Sequence, residues 1–149
     1  MQYHFPVVII DEDYHSENVS GLGIRDLAQA IEAQGIEVRA VTAFSDLTGL
    51  AKQASRTSAF LVSLDDDDFS ETGEENEAIH ELREFVRQIR RSNPDVPIFL
   101  YGENKTATSI PNDVLRELHG FIHMFEDTPD FVARYIAREA REYLKSLPP

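Results

Sequence analysis

Phe5-Pro6-Val7-Val8-Ile9-Ile10-Asp11-Glu12-Asp13 begins as a short apolar run and closes on three consecutive carboxylates. An apolar run of this length without polar alternation reads as a strand buried on both faces, and the switch to acid marks its exit into a polar loop. The same texture returns at residues 59–64, which run into Asp65, and at residues 96–101. Weaker runs at 36–41 and 121–125 bring the number of predicted strands to five.

Helical spacing fills the intervals. Leu22, Ile24, Leu27, Ala28 and Ile31 recur on one face, and Gly35 follows as a stop. Phe44, Leu47, Leu50, Ala51 and Ala54 mark a second helix, with Ser45 or Thr42 as its N-cap. Ile79, Leu82, Phe85, Val86 and Ile89 mark a third, ended by Asn93-Pro94 because a proline disfavours helix in the residue before it. A short helix is expected at 113–118, after a polar tract over 102–112. Phe131, Ile136, Ala140, Tyr143 and Leu144 define the last helix, capped by Asp127 or Thr128 with Pro129 in its first turn. Strands that alternate with helices predict a three-layer, doubly wound α/β sandwich around a five-stranded parallel sheet.

The chain has 149 residues, 42% of them hydrophobic, enough for one core without disulfides or metal. Its 14 basic and 27 acidic residues give a net charge of −13, which argues against a general nucleic-acid or anionic-membrane binder. The absence of cysteine excludes a disulfide framework, a zinc-thiolate site and cysteine nucleophilic catalysis. No apolar run has the length of a membrane helix, and residues 1–6 lack the pattern of a signal peptide. The expected setting is cytoplasmic.

Motifs for several chemistries are missing. Gly21-Leu22-Gly23 completes neither a dinucleotide nor a Walker fingerprint, and there is no Gly-x-Ser-x-Gly elbow. The acidic run 65–68 lacks the spacing of an EF-hand and reads as a solvated loop. Asp13-Tyr14-His15-Ser16-Glu17-Asn18 has asparagine where a cobalamin loop needs glycine, and His4, His80, His119 and His123 form no short metal motif. Arg83, Arg87, Arg90 and Arg91 are the densest basic feature, expected to pair with nearby glutamates or to meet an anionic partner.

Asp11, Glu12 and Asp13 end the first strand and Asp65 ends the third. In the predicted sheet these ends are adjacent, where paired carboxylates can hold magnesium while one accepts a phosphoryl group. The arrangement resembles the receiver domains of two-component signalling, which implies a flavodoxin- or CheY-like fold with strand order 2-1-3-4-5. That family ends its fourth strand with Ser or Thr and its fifth with Lys. Here those places read Leu100-Tyr101-Gly102-Glu103 and Met124-Phe125-Glu126, so an added phosphoryl charge would face acidic neighbours. Asp11, Glu12, Asp13 and Asp65 therefore read as an acidic rim.

Asp127-Thr128-Pro129-Asp130-Phe131-Val132-Ala133, the stretch from Tyr143 to Leu147-Pro148-Pro149, and Asn93-Pro94-Asp95-Val96-Pro97-Ile98-Phe99-Leu100-Tyr101-Gly102 give the chain a more specific likeness. With the strand order, they resemble the amino-terminal wing domain of bacterial inducible ornithine, lysine and arginine decarboxylases, most of all the biodegradative arginine enzyme. The resemblance implies a receiver-like wing over 1–146 and, at 147–149, the start of a linker to a missing catalytic domain. It implies a noncatalytic assembly or regulatory role, with pyridoxal phosphate and its lysine in that larger domain. No catalytic, cofactor-binding or metal residue carries onto this chain. The implied partners are the rest of the decarboxylase and neighbouring subunits in a homodecamer of five dimers, with no nucleic acid and no membrane. Lysine-specific relatives bind the stringent-response alarmone between the wing and the rest of the protein. Registration on Asn112-Asp113-Val114-Leu115-Arg116 puts Arg116 at the wing arginine of that site, whereas registration from Phe125-Glu126 puts His119 there. The alternative is a stand-alone degenerate receiver that acts as a phosphorylation-independent interaction module, or, retaining chemistry, a magnesium-dependent phosphoacceptor at Asp65 or its immediate neighbour.

Overall fold

Alternate residues of the opening strand feed two different cores. Val7 and Ile9 join one apolar cluster, and Val8 and Ile10 join the other, which is why the run contains no polar residue. The computed structural model describes residues 4–43, 47–64, 77–123 and 126–148. Within them the strands are β1 (Val7–Ile10), β2 (Val38–Val41), β3 (Ala59–Ser63), β4 (Ile98–Gly102) and β5 (Gly120–His123). The helices are α1 (Val19–Ala33), α2 (Leu47–Gln53), α3 (Glu77–Ser92), α4 (Asn104–Ser109), α5 (Asn112–Leu115) and α6 (Pro129–Lys145), with a 3₁₀ turn at Ala54–Arg56. All strand pairs are parallel, as the sequence predicts, and the order is β2-β1-β3-β4-β5, as the likeness to receivers implies.

The two helical layers follow from the apolar faces. Ile24, Leu27 and Ile31 of α1 pack with Val132, Ala133 and Ile136 of α6 against Ile9, Leu61 and Phe99. On the other face, Leu50 of α2 and Leu82, Phe85 and Ile89 of α3 cover Val8, Phe60, Val62 and Leu100. Each fully buried side chain of this size stabilises the fold by about 1.5–3 kcal/mol relative to exposure.

Local signals set the helix ends. Asn18 Oδ1 accepts from Gly21 N at 2.8 Å to start α1, and Gly35 follows its C-cap Gln34 with φ +87°, a left-handed conformation suited to glycine. Thr128, one of the two expected caps, accepts from Phe131 N at 3.3 Å, with Pro129 in the first turn of α6. Ser45, an expected cap of α2, lies outside the described residues.

Helix α4 departs from the expected polar tract. Its sequence, Asn-Lys-Thr-Ala-Thr-Ser, has no apolar periodicity. The helix is instead tied to the sheet by Thr106, whose fully buried hydroxyl donates to Leu64 O at 3.3 Å. A tertiary contact therefore decides what propensity leaves open.

Candidate functional site

The acidic end of β1 is committed to holding a turn. Asp11 is 4% exposed, its backbone N donates to Val41 O at 3.0 Å, and its Oδ1 accepts from Asp13 N at 2.8 Å. Arg25 of α1 closes the same loop, with Nη1 donating to Tyr14 O at 2.5 Å and Ser16 O at 2.7 Å. The loop lies so close to α1 that a β-carbon on Gly21 would stand 2.2 Å from Ser16 O. Glu12 is exposed and Asp13 half-buried, while Asp65 and the run 66–68 lie outside the described residues. Across the strand ends, burial and then the Asp11 charge push the phenol of Tyr101 above its ordinary value.

The end of β4 is filled. A β-carbon on Gly102 would meet Thr106 Cγ2 at 2.8 Å and Leu64 O at 3.1 Å. Glu103 follows directly. Of the fifth-strand segment, Met124 and Phe125 are outside the described residues. Among the described residues, no group of three or more His, Cys, Asp or Glu side chains could hold a metal ion.

The arginines of α3 assemble a different surface. Arg83 meets Asp113 of α5 through two contacts, Nε to Oδ2 at 2.8 Å and Nη2 to Oδ1 at 3.2 Å. The guanidinium holds the Asp113 carboxyl below its usual value, chiefly through this hydrogen bonding. Arg90 donates from Nη1 to Val96 O and from Nη2 to Glu117 O, both at 2.7 Å, and its Nε lies 3.4 Å from Glu117 Oε2. These partners sit 30 and 27 positions further along the chain, so the two arginines form a clamp between α3 and the α5 region that local pairing with glutamates does not anticipate. Between the clamps lies a groove of ≈ 530 Å³ whose lining includes Arg87, Arg91 and Arg116. These three side chains have no ion-pair partner among the described residues.

Arg116 and His119, alternatives in the sequence, are separated by the fold. Arg116 lines the α3–α5 groove. His119 contacts α6 instead: its Nε2 lies 3.0 Å from Glu139 Oε2, and its ring meets Phe99 edge-on at 5.1 Å. Sequence spacing of three residues gives no warning of this divergence. The intervening turn leads into β5, whose register with β4 starts at Phe99↔Gly120.

Neither of the two lysines whose side chains are described, Lys52 and Lys145, offers pyridoxal phosphate an enclosed site. A lysine that carries a carbonyl cofactor is activated by desolvation or by a neighbouring cation in an enclosed site. Lys145 is exposed in water beside Glu142, and Lys52 is exposed at an open cleft.

The fold and the strand ends define a receiver-like α/β domain without the hydroxyl and cation that the receiver family places at the ends of β4 and β5. A response regulator receiver domain from Clostridium thermocellum superposes with a TM-score of 0.65 at 10% identity, over 95% of this chain and 97% of that one, a likeness of fold alone. Residues 19–143 match the family described as Orn/Lys/Arg decarboxylase, N-terminal domain, and the chain belongs to that family. Lysine decarboxylase LdcA of Pseudomonas aeruginosa is 30% identical over 148 residues, 97% of this chain and 19% of that protein. The solved structure of lysine decarboxylase A from the same organism superposes with a TM-score of 0.81 over 98% of this chain. The biodegradative arginine decarboxylase of Escherichia coli K12 is 28% identical over 146 residues, 96% of this chain and 18% of that protein. The chain thus spans about a fifth of the length of these relatives. Identities of 30% and 28% do not single out the arginine enzyme as the nearer relative.

Proposed function

We propose that this chain is the noncatalytic assembly and regulatory wing of a pyridoxal-phosphate-dependent decarboxylase of basic amino acids. The carrying observation is the family match over residues 19–143, in a fold whose described residues contain no metal cluster. In this reading residues 1–146 form the wing and 147–149 begin the passage to a catalytic domain, with Leu147 still packed against the core. Arginine is the substrate suggested by the sequence textures; the identities to the lysine and arginine enzymes leave the substrate class at basic amino acids. The partners are the rest of the enzyme and neighbouring subunits in a decamer of five dimers, in the cytoplasm. A net charge of −13 makes assembly tighten as carboxylates and histidines take up protons.

Within this reading the α3–α5 groove faces the remainder of the enzyme, and Arg116, rather than His119, is the wing's contribution to an anionic regulator. Arg116 stands beside other guanidiniums, whereas His119 is engaged with Glu139.

The test is the intact mass of the endogenous protein, followed by carbon dioxide release from arginine, lysine and ornithine with pyridoxal phosphate. A polypeptide several times longer than 149 residues that decarboxylates one of them supports the proposal. An endogenous 149-residue protein refutes it and favours the stand-alone degenerate receiver.

A further inference from the structure

A second basic cleft lies away from both surfaces described so far. It has a volume of ≈ 450 Å³ and is lined by Pro6, Val8, Arg39, Lys52, Gln53, Ser55, Arg56 and Thr57. Pro6 and Thr57 place it toward the end of the sheet where β1 and β3 begin, opposite the acidic rim. Its construction follows from register. Arg39 of edge strand β2 pairs with Val8, so the two side chains emerge on the same face of the sheet, the face covered by Leu50 and Ala54. Lys52 and Arg56, four positions apart at the end of α2 and in the 3₁₀ turn, bring to three the cations that line the cleft beside the apolar Pro6 and Val8.

The charge balance of this cleft is unusual for the molecule. Acids outnumber bases 27 to 14 in the chain, yet among the described residues no carboxylate lines the cleft. The α3–α5 groove differs, because Asp113 and Glu117 stand in its lining. Arg39 touches Glu37 outside the cleft at 3.3 Å, with both side chains more than half exposed, at 58% and 61%. Such a contact contributes little and leaves the guanidinium available. Lys52 and Arg56 have no ion-pair partner among the described residues. Three like charges held over apolar surface repel one another, and an oxyanion relieves that repulsion while accepting guanidinium hydrogen bonds. The volume falls within the range of small-molecule clefts, roughly 300–1,000 Å³. Ser55 and Gln53 add neutral hydrogen-bonding groups at the rim.

We infer that the Arg39–Lys52–Arg56 cleft is a binding site for a soluble, phosphate-bearing small molecule. Arg39 and Arg56 take the phosphate oxygens, Lys52 supplies a third positive charge, and Ser55 and Gln53 meet the neutral part of the ligand. The site is independent of the α3–α5 groove and of the decarboxylase reading.

The experiment is titration of the 149-residue chain with inorganic pyrophosphate at low ionic strength, followed by backbone amide NMR shifts. Saturable changes confined to residues around 39 and 52–57 are expected. Lys52→Glu with Arg56→Glu should weaken binding by at least about tenfold, equivalent to ~1.4 kcal/mol or more. Arg87→Glu with Arg91→Glu should leave it unchanged, and Arg39→Gln, a milder change at a different element, guards against misfolding of the double variant. Equal responses at both basic surfaces, non-saturable shifts, or retention of affinity in the Lys52/Arg56 variant would overturn the inference. So would binding to phosphatidic-acid vesicles without any response to pyrophosphate, which would make the cleft a lipid-headgroup contact.

Discussion

Asn93 Nδ2 donates to the phenol oxygen of Tyr143 at 2.5 Å, pinning the end of α3 to the last turns of α6. The same amide nitrogen donates to Ala54 O at 3.1 Å, and Oδ1 accepts from Asp95 N and Val96 N at 3.1 and 3.2 Å. One buried side chain thus satisfies groups from the 3₁₀ turn, the α3–β4 connection and α6. Asn93→Leu strands these partners in the core and should destabilise the chain by about 2–4 kcal/mol, since each abandoned buried group costs on the order of 1–3 kcal/mol. Tyr143→Phe, which removes only the phenol oxygen, should cost about 1 kcal/mol. Urea unfolding monitored by circular dichroism separates the two.

Glycine replacement should discriminate sharply by position. Gly21→Ala places a β-carbon 2.2 Å from Ser16 O, which accepts from Arg25, and 2.5 Å from Asp13 O, which accepts from Ser16 N. A loss of about 2 kcal/mol or more is expected from this overpacking. Gly120→Ala meets nothing nearer than Tyr135 Oη at 3.6 Å and should be tolerated. Equal thermal midpoints for the two variants would contradict the packing of the 13–16 loop on α1.

Asp113 gives a pH dependence of defined sign. Arg83 lowers its folded-state pKa from the ordinary 3.8, so the stabilisation is present above that value and disappears as pH falls through the folded-state pKa. The difference in thermal midpoint between the wild type and Asp113→Asn should be constant near neutrality and shrink below about pH 4. A difference that persists unchanged in strong acid would assign the effect to packing.

Tyr101 should behave in the opposite range. Burial and the Asp11 charge raise its pKa above 10.0, so the unfolded chain ionises first and stability falls as pH rises beyond that value. Asp11→Asn keeps an oxygen for Asp13 N but removes the charge, and should lower the phenolate titration midpoint in ultraviolet absorbance. An unchanged midpoint would remove Asp11 from the surroundings of Tyr101.

Calorimetry on the full-length protein tests the regulatory assignment. With guanosine tetraphosphate as the probe, Arg116→Ala should weaken binding by about tenfold, as expected for loss of one charge-assisted contact, whereas His119→Ala should not. Equal affinity in the wild type and Arg116→Ala eliminates Arg116 from the proposal.

Five strands and the layers of helices are legible in the chain because both signals are local, whereas the order of the strands in the sheet is expected only from the likeness to receivers. Non-alternating runs such as Val7-Val8-Ile9-Ile10 require cover on both faces, and Leu82, Phe85, Val86 and Ile89 fall on one helical face wherever the helix sits. The family textures around Asn93 and Asp127 are likewise sequence properties. What tertiary structure alone decides are relationships between distant side chains. Helix α4 is tied to the sheet by the Thr106 hydroxyl, Asp11 turns inward to hold Asp13, and Arg83 and Arg90 choose partners about thirty residues away. Arg116 and His119 part company, and Arg39 joins Lys52 and Arg56, for the same reason: strand register and helix packing set which surfaces meet, and neither is written in the spacing of any one segment.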